Sequence, residues 1–305
     1  MSGLEDRLGD PAVRALFDRC SNWGRWGAGD SRGTLNLLTD EVRRAAALLV
    51  REGRSISLGR PLPVASSTVA AHPVVHSMLQ PRDGDSAIDR IDVTPHDPQV
   101  THLDALGHAF LHGLAYNGRR QEDVLSASGL GELGLQTVRE GIVCRGVLLD
   151  VAAARHVPYL PADALVTRTD LEQAERSVGI SVGRGDALVV HVGRAERLRV
   201  EGREDHPVPR AGLDAEAVVW LRERDVAVFL GDCTERLPAP EESAVPMPLH
   251  QLGLVAIGLC LIDGALTTQL VRTCAELGRQ EFLFCCTVPE LAGATGFPVN
   301  PLCVF

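Results

Sequence analysis

At 305 residues and 32.7 kDa the chain is long enough to bury a full hydrophobic core. Its 45% hydrophobic and 23% charged residues describe an ordinary globular protein, and a net charge of −10 excludes the basic face that a nucleic-acid partner requires. All thirty cationic residues are Arg, which also excludes a lysine nucleophile or a lysine Schiff base.

The first residues, Met1 to Arg7, are charged and lack an apolar stretch, so no signal peptide is expected. The longest apolar run, Leu252 to Ile262, is too short to span a bilayer, so no membrane partner is expected. The eight cysteines form no Cys-x-x-Cys pair, and Cys260, Cys285 and Cys286 lie in apolar runs as reduced core residues would. A cytoplasmic location follows as the expectation.

In chain order, residues 1–60 read as a partly helical N-terminal arm. A Gly-rich loop, Asn22-Trp-Gly-Arg-Trp-Gly, carries Trp23 and Trp26, either to pack the loop on the body or to wall a substrate pocket. A helix begins at Asp40 with Asp40 or Thr39 as its N-cap, and Gly53 is its stop. Strands are expected at Ile142–Val151, Ala187–Val192, Val226–Leu230 and Glu281–Val288. Helices are expected at Asp170–Val178, Asp214–Arg224 and Ala265–Leu277. Alternating strands and helices with no linker or repeat indicate one α/β domain, residues 1–305, built on a mixed sheet.

The segment Thr101-His-Leu-Asp-Ala-Leu-Gly-His108 is the richest in chemistry. On an extended strand His102 and Asp104 point to the same side, whereas on a helix they would diverge by about 200°. His108 follows four residues later, where a turn can bring it back over the same spot, and His96 lies just upstream. Three of the ten histidines thus fall within thirteen positions, which points to a metal or acid–base site. Further on, Pro246 to Gly258 has the punctuation of a helix with His250 in its first turn. Asp263 comes in the next connection, and it converges with His250 only if the chain breaks at Gly258.

These residues resemble the metal-dependent cyclase-type hydrolase family, which includes kynurenine formamidase, isatin hydrolase and a manganese-dependent dienelactone hydrolase. The family signature His-x-Gly-Thr-His-x-Asp-x-Pro-x-His is matched in register by Thr101, His102, Asp104 and His108. A longer branch of the family carries Thr-His-Leu-Asp-Ala-Leu-x-His followed by Tyr-Asn-Gly, here 101–108 and Tyr116-Asn117-Gly118. The likeness extends over residues 22–301, through Thr34-Leu-Asn-Leu-Leu-Thr39, Arg145-Gly-Val-Leu-Leu-Asp150, Leu249-His250 and Thr295-Gly-Phe-Pro-Val-Asn-Pro301. Where the signature has its first His this chain has Pro98, and Val100 and Leu106 replace its Gly and Pro.

The resemblance implies a swivelling β/β/α fold and one divalent metal, Mn or Zn, held by His96, His102 and Asp104, with His96 standing in for the His absent at Pro98. It implies hydrolysis of a small amide, cyclic amide or lactone. His250 matches the His of the second metal position in formamidase-like members, and Asp263 is the carboxylate nearest to its Glu. A second ion held by these two is the alternative to a single one. Beside the ion, His108 is expected to carry protons as the acid–base group, and Trp23, Trp26, Tyr116 and Asn117 to contact substrate.

The Glu of a zincin motif is absent between His108 and His112, where position 109 is Ala, and there is no Gly-x-Ser-x-Gly elbow, Walker loop or dinucleotide fingerprint. His72, His76, His156, His191 and His206 stand alone and read as structural. Asp232, at a strand end, suits either a pocket wall or a cap. Two other functions use the same residues: a ring-forming or dehydrating enzyme, and a binding protein that has lost a ligand at Pro98. Small-molecule substrate aside, the expected partner is a second copy of the chain; the apolar C-terminal run from Phe297 to Phe305 either docks on it or tucks against the chain's own sheet, and the Trp23–Trp26 loop and the N-terminal helices are further surfaces that a partner could cover.

Overall fold

The computed structural model describes residues 8–64, 72–79, 86–202 and 209–305; His206 lies outside them. Nine strands form the main sheet: β1 Ser55–Ser57, β2 His102–Asp104, β3 Ile142–Asp150, β4 Ala187–His191, β5 Val228–Gly231, β6 Cys260–Asp263, β7 Glu281–Cys286, β8 Gly296–Pro298 and β9 Leu302–Val304. Their order across the sheet is β1-β9-β7-β3-β4-β5-β6-β2-β8.

The four central strands, β3, β4, β5 and β6, run parallel, and both flanks are antiparallel. Central strands covered on both faces need apolar side chains throughout, and Ala187–His191, Val228–Gly231 and Cys260–Asp263 are buried at every position. The result is a mixed α/β architecture, as the spacing of strands and helices predicts. Helices α1 Pro11–Cys20, α2 Asp40–Ala47, α3 Arg168–Val178, α4 Arg194–Glu201, α5 Ala215–Glu223 and α6 Thr268–Leu277 surround the sheet. One core gathers Trp220, Phe229, Val190 and Leu252 on one face, and a second gathers Leu103, Phe282, Phe284 and Phe305 on the other.

Capping chemistry fixes several boundaries. Thr39, rather than Asp40, caps α2 by accepting from Val42 N, and α2 stops at Ala47, before Gly53. Asp214 caps α5, and Thr167 with Asp170 closes a capping box on α3, two residues earlier than the sequence suggests. The helix expected over 246–258 is a π-helix, Leu249–Ile257, ended by Gly258 in the left-handed conformation with φ 69°. Beyond it Asp263 is the last residue of strand β6, not part of a connection, and it stands opposite His102.

The C-terminal run tucks against the chain's own sheet. Strand β9 lies between β1 and β7, and Cys303 and Phe305 are fully buried, with Phe305 against Phe282. Alternation turns Cys303 inward and Leu302 outward, so the tail completes the chain's own core. A two-stranded antiparallel hairpin, Val75–Leu79 with Ile88–Asp92, stands apart from the main sheet.

Candidate metal centre

Strand β2 sets the site. Its three residues are all buried; Leu103 enters the core while His102 and Asp104 project together from the opposite side. The strand lies between β6 and β8, and Asp104 stands opposite Leu261 and Gly296.

Upstream, the bend at Pro98 is a β-turn. Val100 N donates to the Asp97 carbonyl at 2.9 Å, and the Asp97 side chain accepts from Gln99 N at 2.9 Å. Pro98 takes the second position of that turn, where its fixed φ is favourable. The turn carries His96 back until its Nδ1 lies 3.0 Å from Asp104 Oδ1, off hydrogen-bond alignment. Gly296 makes room for the ring, because a Cβ there would stand 2.6 Å from His96 Cε1 and 2.9 Å from the Leu103 carbonyl.

Downstream, His108 N donates to the Ala105 carbonyl at 2.9 Å, and this tight turn stacks the His108 ring on His96, with centroids 3.7 Å apart and planes 8° apart. His250, in the first turn of the π-helix, approaches from the other side, with its Nε2 3.7 Å from Asp104 Oδ2 and its ring 5.9 Å from that of His108.

The outer nitrogen of three of these rings is spoken for. His102 Nδ1 donates to the Val100 carbonyl at 2.9 Å. His250 Nδ1 donates to Glu235, whose two oxygens both lie at 2.9 Å. His96 Nε2 pairs with Thr295 Oγ1 at 3.0 Å. With the proton on the outer nitrogen, each inner nitrogen presents a lone pair toward the Asp104 carboxylate, the arrangement that carboxylate or carbonyl partners impose on metal-ligating histidines.

Asp104 Oδ1, Asp104 Oδ2 and His96 Nδ1 are buried and have no hydrogen-bond partner. Acceptors left facing one another in this way are costly unless a cation lies between them, so the residues fit a divalent ion. Two sets of donor atoms lie within 4.8 Å of one another: His96, His102 and Asp104, and Asp104, His108 and His250. Asp104 belongs to both. Asp263 belongs to neither; it faces His102 across the strands and takes the N–H of Gly264. His250 thus shares a candidate donor set with His108 and Asp104, whereas the sequence reading set it with Asp263.

Electrostatics follow from burial and the shared carboxylate. Burial acts to lower the His102 pKa, but the Asp104 and Asp263 carboxylates outweigh it and raise it to about 9. Burial also acts against the His250 charge, and Glu235, then Asp104, overcome it to the same value of about 9. At His108 burial outweighs the Asp104 carboxylate and, helped by the neighbouring His96 and His250, lowers the pKa to about 4, so it is neutral near pH 7. Asp104 is held well below the usual carboxylate range, its burial outweighed by the His102 and His96 imidazoles.

The four residues expected to contact substrate gather around the 22–30 loop. Trp23 Nε1 donates to the Val255 carbonyl at 2.7 Å, and the N–H and side-chain amide of Asn22 take the carbonyls of Ala256 and Ile257. These carbonyls at the end of the π-helix would otherwise lack partners. Tyr116 is fully buried and donates to Asp30 at 2.9 Å, Asn117 holds Gly24 N and the carbonyls of Gly27 and Ala28, and Trp26 packs under Arg25. All four fasten the 22–30 loop, and through it the helix that carries His250. The polar atoms of Trp23, Tyr116 and Asn117 are thus engaged with the loop and with the end of the π-helix.

Sequence reasoning missed Glu235 and Thr295. Glu235 precedes His250 by fifteen residues, in the irregular stretch after β5, and no spacing rule links them. Thr295 starts a segment singled out only for its likeness to the family. Among the solitary histidines, His191 is buried and bonds Thr267 Oγ1 at 2.7 Å, with Asp232 at 3.3 Å. Asp232 accepts from the backbone of Val192 and Arg194, which is a capping role. His76 is exposed and pairs with Asp89, and His112 is exposed, off any helix, with φ 48°.

Residues 44–235 match the profile of the family described as "Putative cyclase". A crystal structure of a novel cyclase superposes with TM-score 0.81 and 28% identity, covering 93% of this chain and 99% of that one. Isatin hydrolase A from Labrenzia aggregata, bound to benzyl benzoate, superposes with TM-score 0.61 and 16% identity, covering 88% and 98%. An isatin hydrolase bound to the product analogue thioisatinate gives 0.58 and 16%, covering 82% and 91%. No curated protein matches the sequence. No helix among the described residues is long and apolar enough to cross a membrane. The matched span covers more than half of the chain, and the chain belongs to the cyclase family.

Proposed function

We propose that the protein is a metal-dependent hydrolase that opens a small cyclic amide or lactone, or cleaves a small amide. The carrying observation is the Asp104 carboxylate, buried without a hydrogen bond among inward-facing imidazole nitrogens. The isatin hydrolases that share the fold support the choice of a cyclic amide. His96, His102 and Asp104 would hold one ion, Mn or Zn, both of which accept imidazole and carboxylate. When bound, such an ion makes a water more acidic and polarises a carbonyl.

The remaining work falls to the chain. His108, neutral near pH 7 and stacked beside His96, accepts a proton from the attacking water and returns it to the departing nitrogen or oxygen. Glu235 keeps the His250 Nε2 lone pair turned inward, and the Val100 carbonyl does the same for His102. Burial around Asp104 excludes bulk water, which strengthens each of these interactions. The test is elemental analysis of protein purified without chelator, followed by assays with isatin, formylkynurenine and simple lactones. Protein that carries no divalent metal and takes none up on soaking would reject the reading.

A further inference from the structure

Three guanidiniums converge on the Asp225 carboxylate. Arg25, from the 22–30 loop, places Nη1 and Nη2 at 2.5 and 2.7 Å from its two oxygens. Arg184, in the turn before β4, places Nη1 at 2.8 Å, and Arg222, near the end of α5, places Nη1 at 3.4 Å. The turn after α5 holds Asp225 at φ 53°, in the left-handed region that Asp tolerates better than most residues, and its carbonyl accepts from Gly185 N at 3.0 Å.

The charge there does not balance. Among the described residues no other carboxylate pairs with Arg25, Arg184 or Arg222, so three positive charges share one negative charge. A local excess of this sign runs against a chain of net charge −10. Arg222 bears it directly: its Nε is buried and makes no hydrogen bond, and burial together with the like charge of Arg25 lowers its pKa. The three side chains also carry more N–H donors than one carboxylate and the Asn22 amide oxygen can take. Arg184 is 57% exposed and opens the cluster to solvent, whereas Arg25 and Arg222, at 26% and 27%, are partly shielded from it.

We propose that Arg25, Arg184 and Arg222 form a binding site for a phosphate group, free or carried as a monoester. A dianion cancels the excess charge, and its tetrahedral oxygens suit planar guanidiniums, which engage such groups through paired hydrogen bonds. The site is joined to the helix that carries His250. Arg25 Nη1 donates to Asn22 Oδ1 at 3.0 Å, and Asn22 Nδ2 donates to the Ile257 carbonyl at 2.9 Å. A phosphate that bridges Arg25 to Arg184 and Arg222 therefore fastens the 22–30 loop against the end of the π-helix. None of the three arginines belongs to either metal donor set.

Calorimetric titration of the full chain as purified, at fixed ionic strength in chloride, tests the site with inorganic phosphate and with phenyl phosphate. The wild type should bind one phosphate per chain outside the metal centre, with a dissociation constant below about 1 mM. A site for the free ion takes inorganic phosphate more tightly, and a site for an ester takes phenyl phosphate more tightly. Arg184→Ala should weaken binding about 10–100-fold, the worth of a hydrogen bond between charged groups. Asp225→Asn removes the competing carboxylate and should tighten binding, a gain that a purely structural ion cluster would not give. Phosphate held by the metal would respond to neither change. Amide hydrogen exchange across residues 22–30 should slow when phosphate is added to the wild type and stay unchanged in the Arg184 variant. Circular dichroism checks both folds, and if Asp225→Asn disturbs its own, the exposed Arg184 position carries the test alone. No saturable binding, binding that Arg184→Ala leaves intact, a folded Asp225→Asn variant that binds no more tightly, or loop exchange unmoved by bound phosphate would overturn the proposal.

Discussion

Asp104→Asn is the sharpest perturbation of the centre, because it keeps the side-chain shape and removes the one charge common to both donor sets. In the ion-free protein the Asp104 carboxylate does most to hold His102 at about 9 against burial. Without it, Asp263 and the Val100 carbonyl are left to oppose burial, and the His102 pKa should fall from about 9 toward the free value of about 6.5. The same change removes a ligand. Loss of a partner that merely orients a ligand costs about 10–100-fold in metal affinity, so loss of Asp104 itself should cost more than about 100-fold. Two measurements check the argument separately. Titration of the imidazole resonances in chelator-treated protein reads the proton, and competition with a chromophoric chelator reads the metal. A variant that binds metal as tightly as the wild type would refute the placement of the ion, and an unmoved His102 would refute the electrostatics.

Replacing Glu235 by Gln should weaken metal binding about 10–100-fold if His250 is a ligand, with affinity read by the same competition; unchanged affinity would confine the ion to His96, His102 and Asp104. His108→Ala should lower turnover about 10²–10⁴-fold while metal content stays whole, by elemental analysis; loss of metal would make His108 a ligand at the second position. In the ion-free protein His102 and His250 titrate at about 9, above the unfolded value of about 6.5, so their stabilising contribution is complete below about pH 6.5 and is lost as pH rises through about 9. Metal uptake displaces those protons, so apparent affinity should rise with pH over the same window, and calorimetry with metal titrations at several pH values would show whether it does.

What the sequence determined by itself rests on local physics. The alternation of His102, Leu103 and Asp104 made sense only on a strand, and the strand is there. Apolar runs marked β3, β4, β5 and β7 to within two residues at their ends, and Thr39 and Asp214 announced their helices through hydrogen bonds to the next turn. The remainder depends on contacts between residues distant in sequence. Glu235 meets His250 because the irregular chain after β5 returns to the start of the π-helix, and Thr295 meets His96 across 199 positions. Asp263 and His102 became neighbours through strand pairing, yet that same pairing left Asp263 outside both donor sets. The aromatic loop could have packed on the body or walled a pocket, and its polar atoms close the end of the helix that bears His250. The C-terminal run could have docked on a partner or on its own sheet, and β9 lies on its own sheet, between β1 and β7. Composition says that an apolar residue seeks cover, and only the tertiary structure decides whether its own chain provides it.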